Sequence, residues 1–168
     1  MTHNSLDTFD PSLDLVLERV VDVPPHLVWK AWTEPEHLVK WFTPKPWTTV
    51  DCEIDLRPGG LFRTVMRSPE GQNHENIGCY LDLVVNSRLV WTDMLGPGYR
   101  PRSGGLNEST NCGFFTAFLL FEPAGQGTRY TARLLHRNAA DRQRHEDMGF
   151  HEGWGTALDQ LVAAVKAM

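Results

Sequence analysis

The C-terminal stretch from Asp141 to Met168 most constrains what this chain can fold into. At about 100° per residue, Trp154, Ala157, Leu158, Leu161, Val162, Val165 and Met168 fall on one stripe. Glu152, Thr156, Asp159, Ala163 and Lys166 fall on the other side. As one helix the stretch would run ~40 Å, enough to cross a small domain. The large apolar residues of the stripe contribute ~1.5–3 kcal/mol each when buried, so the helix needs a broad apolar partner. Toward its start the inward stripe turns polar. Gln143, Asp147, Phe150 and His151 occupy it, and Gly149, Gly153 and Gly155 interrupt the same region. Polar residues and glycines where core is due predict that this end faces a cavity or its mouth. A helix start that frays into solvent has the same signature.

The preceding chain supplies the partner. Residues 1–13 read as a flexible N-terminal tail, and residues 14–168 as one domain, the simplest reading for a chain of 168 residues. Asp14 to Val23 is rich in β-branched residues and reads as a strand. Pro24-Pro25 stops it and opens a short helix carrying Leu27, Val28, Ala31 and Trp32; Pro35 opens a second, with Leu38, Trp41 and Phe42. From Trp47 the period becomes two. Val50, Cys52, Ile54 and Leu56 alternate with charged residues, and further strands follow at Leu61–Arg67, His74–Val85, Arg88–Met94, Gly113–Glu122 and Thr128–Arg137, joined by Gly-rich or Asn-containing turns. Gly78 marks a bulge or bend inside its strand. Leu95 to Cys112 has no periodicity and reads as either a lid or a surface excursion. Strands followed by a helix argue α+β, with a curled antiparallel sheet around one helix and a space between them.

Several functions lack their signature. The net charge of −5 gives no nucleic-acid footprint. Cys52, Cys79 and Cys112 have no metal or disulfide spacing, and their odd number fits a reducing compartment. With no apolar run of ~18 residues, the expectation is a soluble, cytoplasmic protein with no membrane insertion. His-Glu pairs at 74, 145 and 151 lack the second histidine of a zinc site, and neither a phosphate loop nor a nucleophile elbow is present; no metal or cofactor is expected. Asn107-Glu108-Ser109 matches a glycosylation sequon that matters only in a secreted chain. One constellation carries chemistry. Asp147 and His151, at i and i+4, are neighbours on a helix, so the carboxylate could orient the imidazole as a general base or make a simple polar contact. His136, at a strand end, reads as structural.

Several segments together resemble a known family: Val28-Trp29-Lys30-Ala31-Trp32-Thr33-Glu34-Pro35-Glu36 with Trp41, Asp55-Leu56-Arg57-Pro58-Gly59-Gly60, Gly78 with Ser87-Arg88-Leu89-Val90-Trp91-Thr92, Gly127-Thr128, and Gly153-Trp154 with Leu158 and Leu161. The match is to the START-like (SRPBCC, Bet v 1-like) superfamily, nearest its branch of heat-shock-protein ATPase activators (AHSA-type). The resemblance implies the helix-grip fold, a bent antiparallel sheet gripping a long C-terminal helix over a cavity. Its relatives include lipid and hormone carriers, polyketide cyclases and co-chaperone domains, so it implies no single activity. The full co-chaperone has an additional N-terminal domain for which this chain has no room.

The leading expectation is a binder of a small hydrophobic or aromatic ligand, with Trp41, Phe62, Met66, Trp91, Phe118, Tyr130 and Trp154 as walls and His151 with Asp147 as the polar groups orienting it. A strand slip of one residue would move every strand residue in that set to the other face. The alternatives are a cyclase- or isomerase-like enzyme using His151 and Asp147, and a protein-interaction module with a closed interior. The two-sided apolar run Phe114 to Phe121 adds homodimerisation through an outer sheet face.

Overall fold

The computed structural model describes residues 8–104, 106–107 and 113–168. Strand β1 (Asp14–Val21) leads into α1 (Pro25–Thr33) and α2 (Pro35–Leu38). Each helix has proline at its first position, where the lost N–H had no intrahelical partner. There follow β2 (Thr48–Ile54), β3 (Leu61–Arg67), β4 (Asn73–Val84), β5 (Arg88–Thr92), a small hairpin of β6 (Leu95–Gly96) and β7 (Arg100–Pro101), then β8 (Phe115–Ala124) and β9 (Gly127–His136). Helices α3 (Ala139–Asp147) and α4 (Phe150–Lys166) close the chain. Seven strands form one antiparallel sheet in the order β1-β9-β8-β5-β4-β3-β2, with register shifts at Thr49/Asp51 and Tyr80/Asp82 that bend it. The architecture is α+β, a sheet gripping a C-terminal helix, as expected. Among the described residues no helix is long and apolar enough to cross a membrane.

Cross-strand register fixes which residues face the helix. Leu15, Leu134, Ala117 and Trp91 form one inward row, and Leu17, Ala132, Leu119 and Leu89 the next. Between them Val16, Arg133, Phe118 and Val90 form an outward row. The inward rows meet Ala157, Leu158, Leu161 and Val165 of α4 and the α1 residues Val28, Ala31 and Trp32 in one core.

Two sequence expectations change. The terminal stretch is not one helix. It breaks at Met148-Gly149, where Gly149 has φ +94°, a left-handed conformation that a β-carbon disfavours. The aperiodic stretch after Leu95 begins with a hairpin docked on the Pro58-Gly59-Gly60 turn: the Gly98 N–H donates to Gly59 O at 2.7 Å. Tyr99 covers Gly59, where a β-carbon would sit 2.8 Å from the ring. The question of a lid extends to residues 105 and 108–112, outside the described residues, as do Cys112, the sequon's Glu108 and Ser109, and residues 1–7 of the tail.

Candidate functional site

Between the inner sheet face, the segment after α2 and the start of α4 lies a cavity of about 260 Å³. Its walls are mainly aromatic: Trp41 and Phe42 on one side, Phe62, Trp91 and Phe115 from the sheet, Phe150 and Trp154 from α4. These rings hold one another at edges and tilts, with centroids 5.0 Å apart for Phe62–Trp91, 5.7 Å for Trp91–Phe115 and 5.6 Å for Phe42–Phe62. Such geometry suits the ring quadrupoles. Small residues leave the space open: Gly78 on β4, and Gly153 and Ala157 on α4.

The α2–β2 segment is fixed to α4 by one side chain. Gln160 Nε2 donates to Trp41 O and Thr43 O, both at 2.9 Å, and its Oε1 accepts from the Lys45 N–H at 3.0 Å. Trp41 Nε1 donates to Ala31 O at 3.1 Å, tying the same segment to α1. Beneath the cavity floor Trp32 Nε1 donates to Tyr130 Oη at 3.2 Å.

Of the sequence-predicted wall residues, Trp41, Phe62, Met66, Trp91, Tyr130 and Trp154 border this cavity. Phe118 does not. It belongs to the outward row, is only 4% exposed, and lies under the Arg133 guanidinium at 5.7 Å from the ring centroid. The strand alternates strictly, so Phe118 cannot share a face with its neighbours Ala117 and Leu119. His151 and Asp147 are displaced too. His151 has a side chain 56% exposed and lies 4.0 Å from the Glu146 carboxylate. Asp147 is exposed and accepts from Gln143 Nε2 at 2.8 Å. The break at Gly149 puts them on different helices, so the i, i+4 pairing does not form.

The polar groups that do border the cavity are His145, Asp93, Asn76, Asn107 and Thr64. His145 sits on α3, its ring 5.0 Å from Phe115 and 5.7 Å from Phe150. Its Nδ1 lies 3.0 Å from His136 Nε2, and His136 Nδ1 lies 2.8 Å from Leu13 O. Burial, then the neighbouring His136, lowers the His145 pKa to about 4; burial also lowers that of His136. Both imidazoles are thus neutral near pH 7. Asp93 is 6% exposed; it accepts from Asn107 Nδ2 and the Phe115 N–H, each at 2.9 Å. Burial raises its carboxyl above the usual range, against the opposing pull of those donors. Two buried polar atoms of wall residues, Trp91 Nε1 and Asn76 Oδ1, have no hydrogen-bond partner among the described residues. Among the described residues the metal-type grouping Glu34, Glu36 and His37 lies on and beside α2 and not on this wall.

Sequence reasoning missed His145, Asp93, Asn76 and Gln160. Strand parity would have found Asn76, which alternates with Gly78 and Tyr80. No local signal marks Gln160, a polar residue beside the apolar stripe.

A bent sheet closed over a C-terminal helix, with an aromatic-walled hollow between them, defines a START-like helix-grip protein. Within that class the chain belongs to the family described as Activator of Hsp90 ATPase homolog 1-like protein, which matches residues 22–166. A solved protein from Nitrosomonas europaea is 47% identical, with a TM-score of 0.88 over 95% of this chain and 97% of its own. One from Chromobacterium violaceum is 26% identical, with a TM-score of 0.67 over 90% of this chain and 96% of its own. A third, from Rhodobacter sphaeroides, is 20% identical with a TM-score of 0.79 over 96% and 97%, a likeness of fold alone. No curated protein matches.

Proposed function

We propose that this chain is a cytoplasmic binding protein for a small, largely apolar or aromatic ligand held between the sheet and α4. The observation that carries this reading is the cavity itself: about 260 Å³, walled by rings, with two buried polar atoms that have no partner among the described residues. Leaving such atoms unmade costs ~1–3 kcal/mol each, which a ligand or bound water recovers. The volume is just below the usual range for small-molecule sites, so the ligand is compact, of one or two rings. The free thiols of Cys52 and Cys79 fit a reducing compartment. The enzyme alternative loses His151 and Asp147 as its groups, since neither borders the cavity; among the described residues His145, Asp93 and Tyr130 are the titratable groups that do.

Native mass spectrometry of the freshly purified protein, with titration of tryptophan fluorescence by a two-ring aromatic, tests the reading. Binding at micromolar concentration is expected in the wild type and loss of binding in Ala157→Phe, which fills the hollow. A wild type that binds no such probe and carries no small molecule would overturn it.

A further inference from the structure

The ring nitrogens of His136 and His145 form a directed relay. The Leu13 carbonyl has only lone pairs, so the His136 Nδ1 that meets it at 2.8 Å carries the hydrogen. In a neutral imidazole the other nitrogen, Nε2, is then bare and can only accept. Its partner at 3.0 Å, His145 Nδ1, must therefore donate. That leaves His145 Nε2 bare in turn. Among the described residues the one hydrogen bond of His145 runs through Nδ1, and its ring forms part of the cavity wall between Phe115 and Phe150. One backbone carbonyl on the far side of two rings thus fixes the polarity of a ring on that wall.

We propose that His145 Nε2 is a hydrogen-bond acceptor built to select ligands carrying an O–H, an aromatic alcohol or phenol, over equally apolar ligands without one. This rests on the ligand-binding reading and adds the chemical class. Asn76 Oδ1, a second acceptor, favours the same class, and the Trp91 Nε1–H can take a lone pair of the ligand; neither atom has a partner among the described residues.

The test compares 2-naphthol with 2-methoxynaphthalene, which share a ring system and differ in the donor, by calorimetric titration of the wild-type protein. His145→Phe is titrated in parallel, and the imidazole tautomers are read by nitrogen-15 NMR. The expected result is 2-naphthol binding about tenfold tighter than the ether in the wild type, near-equal binding in His145→Phe, and the Nδ1–H tautomer at both histidines. Equal affinities in the wild type, or an Nε2–H tautomer at His145, would overturn the inference while leaving the cavity reading standing. Failure of both probes to bind would overturn the two together. The wild-type comparison and the NMR do not depend on the variant folding.

Discussion

At the scale of single residues, the two imidazoles make stability pH-dependent. A histidine held neutral in the fold, with its pKa below the unfolded value, binds more protons when unfolded. Its contribution is therefore complete above about pH 6.5 and is lost as pH falls toward 4. For His145 the interval from 6.5 to about 4 corresponds to ~3–4 kcal/mol at about 1.4 kcal/mol per unit. Asp93 acts with the opposite sign: an acid whose pKa is raised binds protons better in the folded state and gains stability as pH falls. Denaturant unfolding at pH 7 and pH 4.5 should thus show a steeper acid loss in the wild type than in His145→Phe. Parallel losses would contradict the neutral assignment.

At the scale of elements, the sequence carried the sheet well and the site less well. The strands between Asp14 and Arg137 were legible because alternation and turn residues are local signals. The break within the terminal stretch was not, and that one error displaced the candidate site. On a continuous helix His145 lies nine residues before Trp154, ~180° away and facing solvent, while Asp147 lies ~20° from it and faces inward. The left-handed joint at Gly149 resets the phase, so His145 turns onto the wall and Asp147 off it. The glycines were visible, but their individual roles were not. Gly149 supplies the joint; Gly155 admits Arg19, whose Nη2 donates to Gly155 O at 2.7 Å; Gly153 leaves room in the cavity. Gly149→Ala should therefore cost ~1 kcal/mol, because its φ is left-handed. Gly153→Ala, whose β-carbon would meet only Pro44 Cγ at 3.9 Å, should gain ~0.5–1 kcal/mol from helix propensity. Chemical denaturation of the two variants checks the opposite signs.

At the scale of the whole molecule, the apolar run Phe114 to Phe121 carried the expectation of a dimer. The register gives that run another explanation. Ala117, Leu119 and Phe121 face the core, and the outward Phe118 and Val90 are already covered, Phe118 by Arg133. At those two positions little apolar area is left to drive association. Light scattering at micromolar concentration should give the monomer mass, and a dimer mass dependent on Phe118 would contradict this. The resemblance to the family reached the right fold because the order of its motifs spans the sheet and α4. It could not name the polar wall, which depends on where a joint falls and on which side chains lie across from it.

The joint at Gly149 also separates two duties. The long rod beyond it sets Ala157, Leu158, Leu161 and Val165 into the core, while the short rod before it contributes a single ring to the hollow and is moored to the last strand. Natural variation on the short rod can therefore retune what is welcomed inside without disturbing what holds the molecule together, a modular arrangement in which recognition can drift while the scaffold stays put.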